Sequence, residues 1–217
     1  FSKDLARPIP ASCGVRFRRQ AQFHPLKFLR ALSEDLTVYE HTPVYAVEGT
    51  EVVTERGSVQ AEQVVFACHF PFLNVPGMYF ARMHQERSYV LALEHAPQVD
   101  GMFISAEPGA FSLRTYKQFL LLGGESHRTG EGHCGGHYEA LRQKALLWFP
   151  GSRESACWSA QDCVTPDSVP YIGRFAAGRP EWYVATGFQK WGMTGSMVSA
   201  MVLRELLSGH DHPCAGV

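Results

Sequence analysis

The stretch "YVATGFQKWGMTGSMVSAMVLREL", residues 183–206, decides the fold. A short apolar strand runs into Gly187, four residues follow, and Gly192 closes the turn as a helix rich in small residues begins. Open α/β folds place their ligands at such a strand end. The first amides of the helix have no partner within the helix, and the dipole favours negative charge there. Glycine at both ends of the turn permits close backbone approach to a flat ligand. Taken alone, the same pattern equally describes a tight turn capping an ordinary helix.

Working outward, "HYEALRQKALLWF" (137–149) predicts an amphipathic helix with Leu141, Ala145, Leu146 and Phe149 on its apolar side. "HPLKFLRALSEDL" (24–36) predicts another, on Leu26, Phe28, Leu29, Leu32 and Leu36. Between residues 37 and 60, short strand-like pieces punctuated by Gly49 and Gly57 predict an antiparallel meander. "QVVFACH" (63–69) is apolar on both faces, as in a strand of a buried sheet. Residues 86–125 form a second strand-rich stretch, and "ESACWSAQDCV" (154–164) another strand. Helices and two strand-rich regions predict an α+β or α/β fold in two layers or lobes.

The 217 residues carry 20 Lys and Arg against 21 Asp and Glu, a net charge of −1. That balance offers no basic stripe for nucleic acid. No apolar run is long enough to span a bilayer, and "FSKDLARPIP" is too polar for a secretory signal. A first residue of Phe1 suggests a processed chain or a piece of a longer one. Six cysteines without paired spacing read as reduced thiols of a cytoplasmic protein. "HRTGEGHCGGH", with His127, His133, Cys134 and His137, reads as a solvated glycine-rich loop, and no metal is expected.

Two longer segments carry a resemblance. "DCVTPDSVPYIG" (162–173), followed by the strand, glycine turn and terminal helix of 182–209, resembles the end of the D-amino-acid-oxidase-like superfamily of FAD-dependent oxidoreductases. "ARMHQERSYVLALE", "GGESHRTGE", "WSAQDC" and "ATGFQKWGM" look like the branch fused to a C-terminal Rieske [2Fe–2S] domain. The resemblance covers about residues 20–210.

It implies a partial FAD-binding, Rossmann-like lobe from residues 20–75 and 155–217, an antiparallel-sheet substrate lobe from 76–154, and a lead-in segment of 1–19. It places Gly187, Phe188, Lys190, Gly192, Met193 and Thr194 beside the isoalloxazine and Val44 near adenine, with Ile172 and Gly173 as further cofactor-binding candidates. Phe188 and Trp191 are equally packing residues or pocket walls, Lys190 an added positive charge or an exposed turn lysine, and Val44 an adenine contact or a strand valine. Tyr89, Arg114 and Tyr116 are candidate substrate contacts on the substrate sheet, as is Arg87. Where amino-acid-oxidising relatives carry an arginine for the substrate carboxylate, this chain has Asp162, with Gln161 beside it. An aspartate there implies a cationic amine contact instead.

The family's opening unit, a strand, a Gly-x-Gly-x-x-Gly turn and a helix, is read as absent, as are the Cys and His pairs of a Rieske cluster. The expected function is therefore part of an FAD-dependent enzyme oxidising an amine or amino-acid-like substrate, its electrons passing to an iron–sulfur domain outside this chain. FAD is the implied cofactor, with retention by this chain alone left open. The alternative is a truncated, non-catalytic domain acting through protein–protein contact. With one neighbour missing, strand 63–69 would expose an apolar edge, which implies a homodimer or limited solubility.

Overall fold

The protein is described from a computed structural model, covering residues 9–10, 13–106, 111–132, 135–210 and 212–214. The fold is mixed α/β with mainly antiparallel sheets, and the chain divides into two compact units. The first gathers the described residues up to Ala21 with Gln85–Gln161; the second gathers Gln22–His84 with the described residues from Asp162 onward.

The second unit opens with α1 (Pro25–Ser33), whose His24 side chain caps the amide of Lys27. The antiparallel meander follows as β1 (Val44–Glu48), β2 (Glu51–Thr54) and β3 (Gly57–Gln60). Next comes β4 (Val64–Phe66), then a short 3-10 turn at Tyr79–Ala81. After Asp162 the unit adds β10 (Tyr171–Ala176), β11 (Arg179–Thr186) and α3 (Gly192–Leu207). These strands form a sheet in the order β10-β11-β4, in which β11 runs antiparallel to β10 and parallel to β4. The β4 strand is thus an edge, and Val65 is 40% exposed where the apolar pattern predicts burial. The core of this unit packs Val47, Phe66, Tyr79, Phe175, Trp182 and Val184.

The first unit is a five-stranded sheet with one helix. Its strands are β5 (His84–Glu94), β6 (Met102–Ile104), β7 (Ser112–Tyr116), β8 (Phe119–Arg128) and β9 (Arg153–Val164), in the order β6-β7-β8-β5-β9, with His84 and the last three residues of β9, Asp162, Cys163 and Val164, counted in the second unit. The helix α2 (His137–Trp148) packs on β8. Leu141 and Ala145, with Phe149 just past the helix end, recur every fourth residue and sit in one core with Leu91, Leu93, Leu113, Leu120 and Leu122. Leu146 was expected in that row but is 58% exposed, because a position five residues after Leu141 has rotated to the far side.

Two expectations change. Residues 76–84 belong with the second unit, because Tyr79 is buried against Phe175 and donates its hydroxyl to the Phe175 carbonyl. Residues 155–161 belong with the first unit, as the continuation of β9. The helix α1 ends at Ser33, short of the expected 36, and its apolar side has no buried residue: Leu26, Leu29 and Leu32 are exposed, as is Leu36 three residues past its end.

Candidate functional site

Where β4 and β11 end side by side, Thr186 donates its hydroxyl to the His69 carbonyl and ties the two exits together. The chain then turns through Gly187 at φ +80° and Gln189 at φ +51°. The Gln189 amide bonds the Cys163 carbonyl at 2.9 Å, fixing the turn to the end of β9. A Cβ at Gly187 would lie 2.6 Å from the Thr165 methyl, so glycine is required there by the protein's own packing as well as by the backbone angle. The expectation that Gly187 clears room for a ligand is corrected to that extent. Gly192 has nothing within 4 Å of where a Cβ would stand and does present open space.

Phe188 is a packing residue. Its ring fills the notch that Gly195 leaves in α3, where a Cβ would approach it to 2.6 Å. Trp191 is the reverse: it occupies the N-cap position of α3 and stands 73% exposed. A tryptophan offers no side-chain acceptor, so no side-chain cap covers the first turn at Gly192, Met193 and Thr194. These amides and the helix dipole suit an acceptor with growing negative charge. Below the turn, Ile172 and Gly173 pair with Ala185 and Val184, and Ile172 packs in the cluster that holds α3 to its sheet. Val44 lies apart from this sheet, 36% exposed at the start of β1 beside a bulge.

Two candidates of opposite sign meet. Lys190 Nζ lies 3.1 Å from Asp162 Oδ2, with side chains 53% and 23% exposed. The lysine expected near a cofactor and the aspartate expected near a substrate amine therefore neutralise one another at the foot of the turn. Gln161, beside them in sequence, donates to the Thr129 hydroxyl in the first unit.

Within that first unit the substrate candidates separate. Tyr89 is buried in the core beneath α2, stacked on His137 with centroids 5.1 Å apart. Arg114 is exposed and Tyr116 is 38% exposed, whereas Leu113 between Ser112 and Arg114 is fully buried in the α2 core. Side chains alternate along a strand, so Arg114 and Tyr116 lie on the face away from α2 and from Tyr89. The three do not form one constellation.

The histidine-rich loop holds a feature that spacing did not foretell. His127 and His137 stack at 4.0 Å with planes 5° apart, and Glu125 bonds Lys144 nearby. His133 and Cys134 lie outside the described residues. The bare spacing Gly-x-Gly-x-x-Gly occurs at Gly130, Gly132 and Gly135 between β8 and α2, outside the opening strand–turn–helix unit that was read as absent. There β8 is antiparallel to both its neighbours, β5 and β7, so the spacing lacks the parallel strand–helix–strand setting of a dinucleotide seat.

A glycine turn at the ends of two parallel strands, an antiparallel meander in the same unit, and a separate antiparallel-sheet unit make up the architecture. The chain belongs to the FAD dependent oxidoreductase family DAO, which matches residues 3–206. It is similar to the Rieske 2Fe-2S iron-sulfur protein YhfW of Bacillus subtilis (strain 168), 37% identical over 228 residues, covering 97% of this chain and 44% of that protein. In fold it is similar to glycine oxidase from Geobacillus kaustophilus, with TM-score 0.66 and 20% identity over 81% of this chain and 50% of that one. L-proline dehydrogenase from P. horikoshii gives TM-score 0.65 and 20% identity, over 85% of this chain and 54% of that one. The chain thus spans about half the length of the proteins it matches. Among the described residues, no helix is long and apolar enough to cross a membrane.

Proposed function

We propose that this chain supplies the substrate-binding lobe and part of the FAD-binding lobe of an oxidoreductase that oxidises an amine or amino-acid-like substrate. The observation that carries this reading is the side-chain-uncapped start of α3, reached by a glycine turn from the paired ends of β4 and β11. The residues present fit a flavin's pyrimidine edge: Gly192 leaves the approach open, and the amides of Met193 and Thr194 are donors for its carbonyl oxygens. Bound FAD would supply a two-electron acceptor for the substrate's hydride. The chain's own contribution is electrostatic, since a positive helix terminus favours the charge that gathers on the reduced ring.

Lys190 contributes less there than an unpaired lysine would, because Asp162 balances it. Asp162 takes the place that an arginine holds in amino-acid-oxidising relatives, and its pairing removes a carboxylate clamp from that position. With Lys190 already on Asp162, that position anchors neither a carboxylate nor, while the pair holds, a cationic amine. The name of the Bacillus subtilis relative supports a Rieske domain as electron acceptor in the parent protein.

Trp191 provides the test, because it stands exposed at the turn. Titration with FAD should quench the chain's tryptophan fluorescence, and Trp191→Phe should remove most of that quenching. Equal quenching in both proteins would place the flavin elsewhere.

A further inference from the structure

Between the end of β8 and the start of α2, two imidazoles lie face to face. His127 and His137 have ring centroids 4.0 Å apart and planes 5° apart, and Tyr89 of β5 lies near-parallel to them at 5.8 and 5.1 Å. Both imidazoles are partly buried, and His127 Nδ1 is out of water with no hydrogen-bond partner among the described residues. His137 is the first residue of α2 and follows Gly136, which has φ +81° and no side-chain cap. Together with the edge-on contact of Tyr138 against Tyr89, the stack fastens the first turn of α2 to the sheet.

This contact suits neutral rings. A protonated imidazole is a donor at both nitrogens, and a charged N–H at His127 Nδ1 would stand buried without an acceptor. The attraction of that charge for the facing rings is the smaller effect. The surrounding groups give little relief. From β5, Arg87 stands opposite His127 in the ladder and adds charge of the same sign, while Tyr89 presents its ring. From β8, Glu125 Oε2 lies 4.0 Å from His137 Nδ1, but Lys144 of α2 already bonds the other oxygen of that carboxylate. Arg128 pairs with Glu131, Glu139 accepts from Gln143, and Arg142 holds Glu154. A charge on His137 itself would sit at the positive end of the α2 dipole.

We infer that the His127–His137 stack is an acid-sensitive latch, which holds the start of α2 on the sheet while both rings are neutral and opens when a proton is taken up. Gly135, Gly136 and His137 form one wall of a cleft of about 370 Å³ that Arg87 and Ser159 also line, so release of the helix start widens that cleft. The opening is local, because Leu141 and Ala145 stay in the core and Arg142 stays on Glu154.

The test is amide hydrogen exchange of the full chain, followed by NMR and corrected for the intrinsic effect of pH, from about pH 8 to about pH 5, where histidine charges. The Ala140 amide bonds the Gly136 carbonyl in the first turn of α2. Its protection should fall reversibly by about tenfold or more on acidification, while the β7–β8 ladder keeps its own. His127→Phe keeps a flat ring against His137 and takes up no proton, so it should retain the protection seen at neutral pH and lose the acid response. In the wild-type chain the His127 ring signals should shift over the same pH range as the exchange, a readout that does not depend on how well the variant folds. The inference is overturned if Ala140 protection is flat across the range, if His127→Phe keeps the full acid response, or if the His127 signals do not follow the exchange. Loss of the response in Glu125→Gln would overturn it too, by placing the proton in the His137–Glu125 pair.

Discussion

Lys190 Nζ and Asp162 Oδ2 stand 3.1 Å apart, joining the glycine turn before α3 to the end of β9. Half of the lysine side chain is in water, so the pair contributes about 0–1 kcal/mol to stability. Lys190→Met should therefore lower unfolding free energy by no more than about 1 kcal/mol in urea titrations. Asp162→Asn should leave Tm nearly unchanged while freeing the lysine charge, and FAD affinity should rise. Weaker FAD binding in Asp162→Asn would show that the aspartate, rather than the lysine, serves the cofactor.

The three glycines around the turn should respond differently to alanine. Gly187→Ala combines a φ of +80° with a contact of 2.6 Å to Thr165. The two costs together come to about 2–5 kcal/mol, read by thermal or chemical denaturation. Gly195→Ala meets the Phe188 ring and should also destabilise, by about 1–3 kcal/mol. Gly192→Ala meets nothing and should leave stability unchanged or slightly raised, yet reduce FAD affinity if the open space is the flavin approach.

Acid stability should depend on Arg142. Its hydrogen bonds to Glu154 hold that carboxyl below its ordinary 4.5. A carboxyl lowered on folding stabilises the native state fully above its unfolded value, and the contribution disappears as pH falls through the lowered folded value. Stability should thus decline on acidification below about 4.5. Arg142→Met should flatten that part of a Tm-against-pH curve while lowering Tm at neutral pH. An unchanged acid slope in the variant would contradict the assignment.

The β4 edge and the α1 face should make the chain associate. Val65 is 40% exposed on an edge strand, and Leu26, Leu29 and Leu32 are 71%, 49% and 53% exposed. Sedimentation velocity should show concentration-dependent association, suppressed by Val65→Lys, since charge on an edge blocks strand pairing. A sharp monomer boundary at high concentration would count against it.

Much of the fold was legible because it rests on short-range pattern. The meander was marked by Gly49 and Gly57, α2 by the spacing of Leu141, Ala145 and Phe149, and α3 by the Gly192 break. Family membership was legible for the same reason, in "DCVTPDSVPYIG" and the turn that follows. Less legible was which residues face one another. Strand alternation already separates Leu113 from Arg114, yet the register that sets Tyr89 beneath α2 involves a bulge between Arg87 and Tyr89. Nothing local signals that Lys190 and Asp162 will pair across 28 residues, or that Thr165 will fill the space beside Gly187. Such contacts depend on tertiary packing, and they determine which charges remain available for chemistry.

The central claim is that the turn from Gly187 to Thr194 forms part of a flavin seat. It is tested most directly by the visible absorption spectrum of the purified chain, before and after incubation with excess FAD and gel filtration. The account predicts a flavin band that travels with the protein and weakens in Gly192→Ala. A colourless protein after FAD loading would contradict the claim that these residues hold the cofactor.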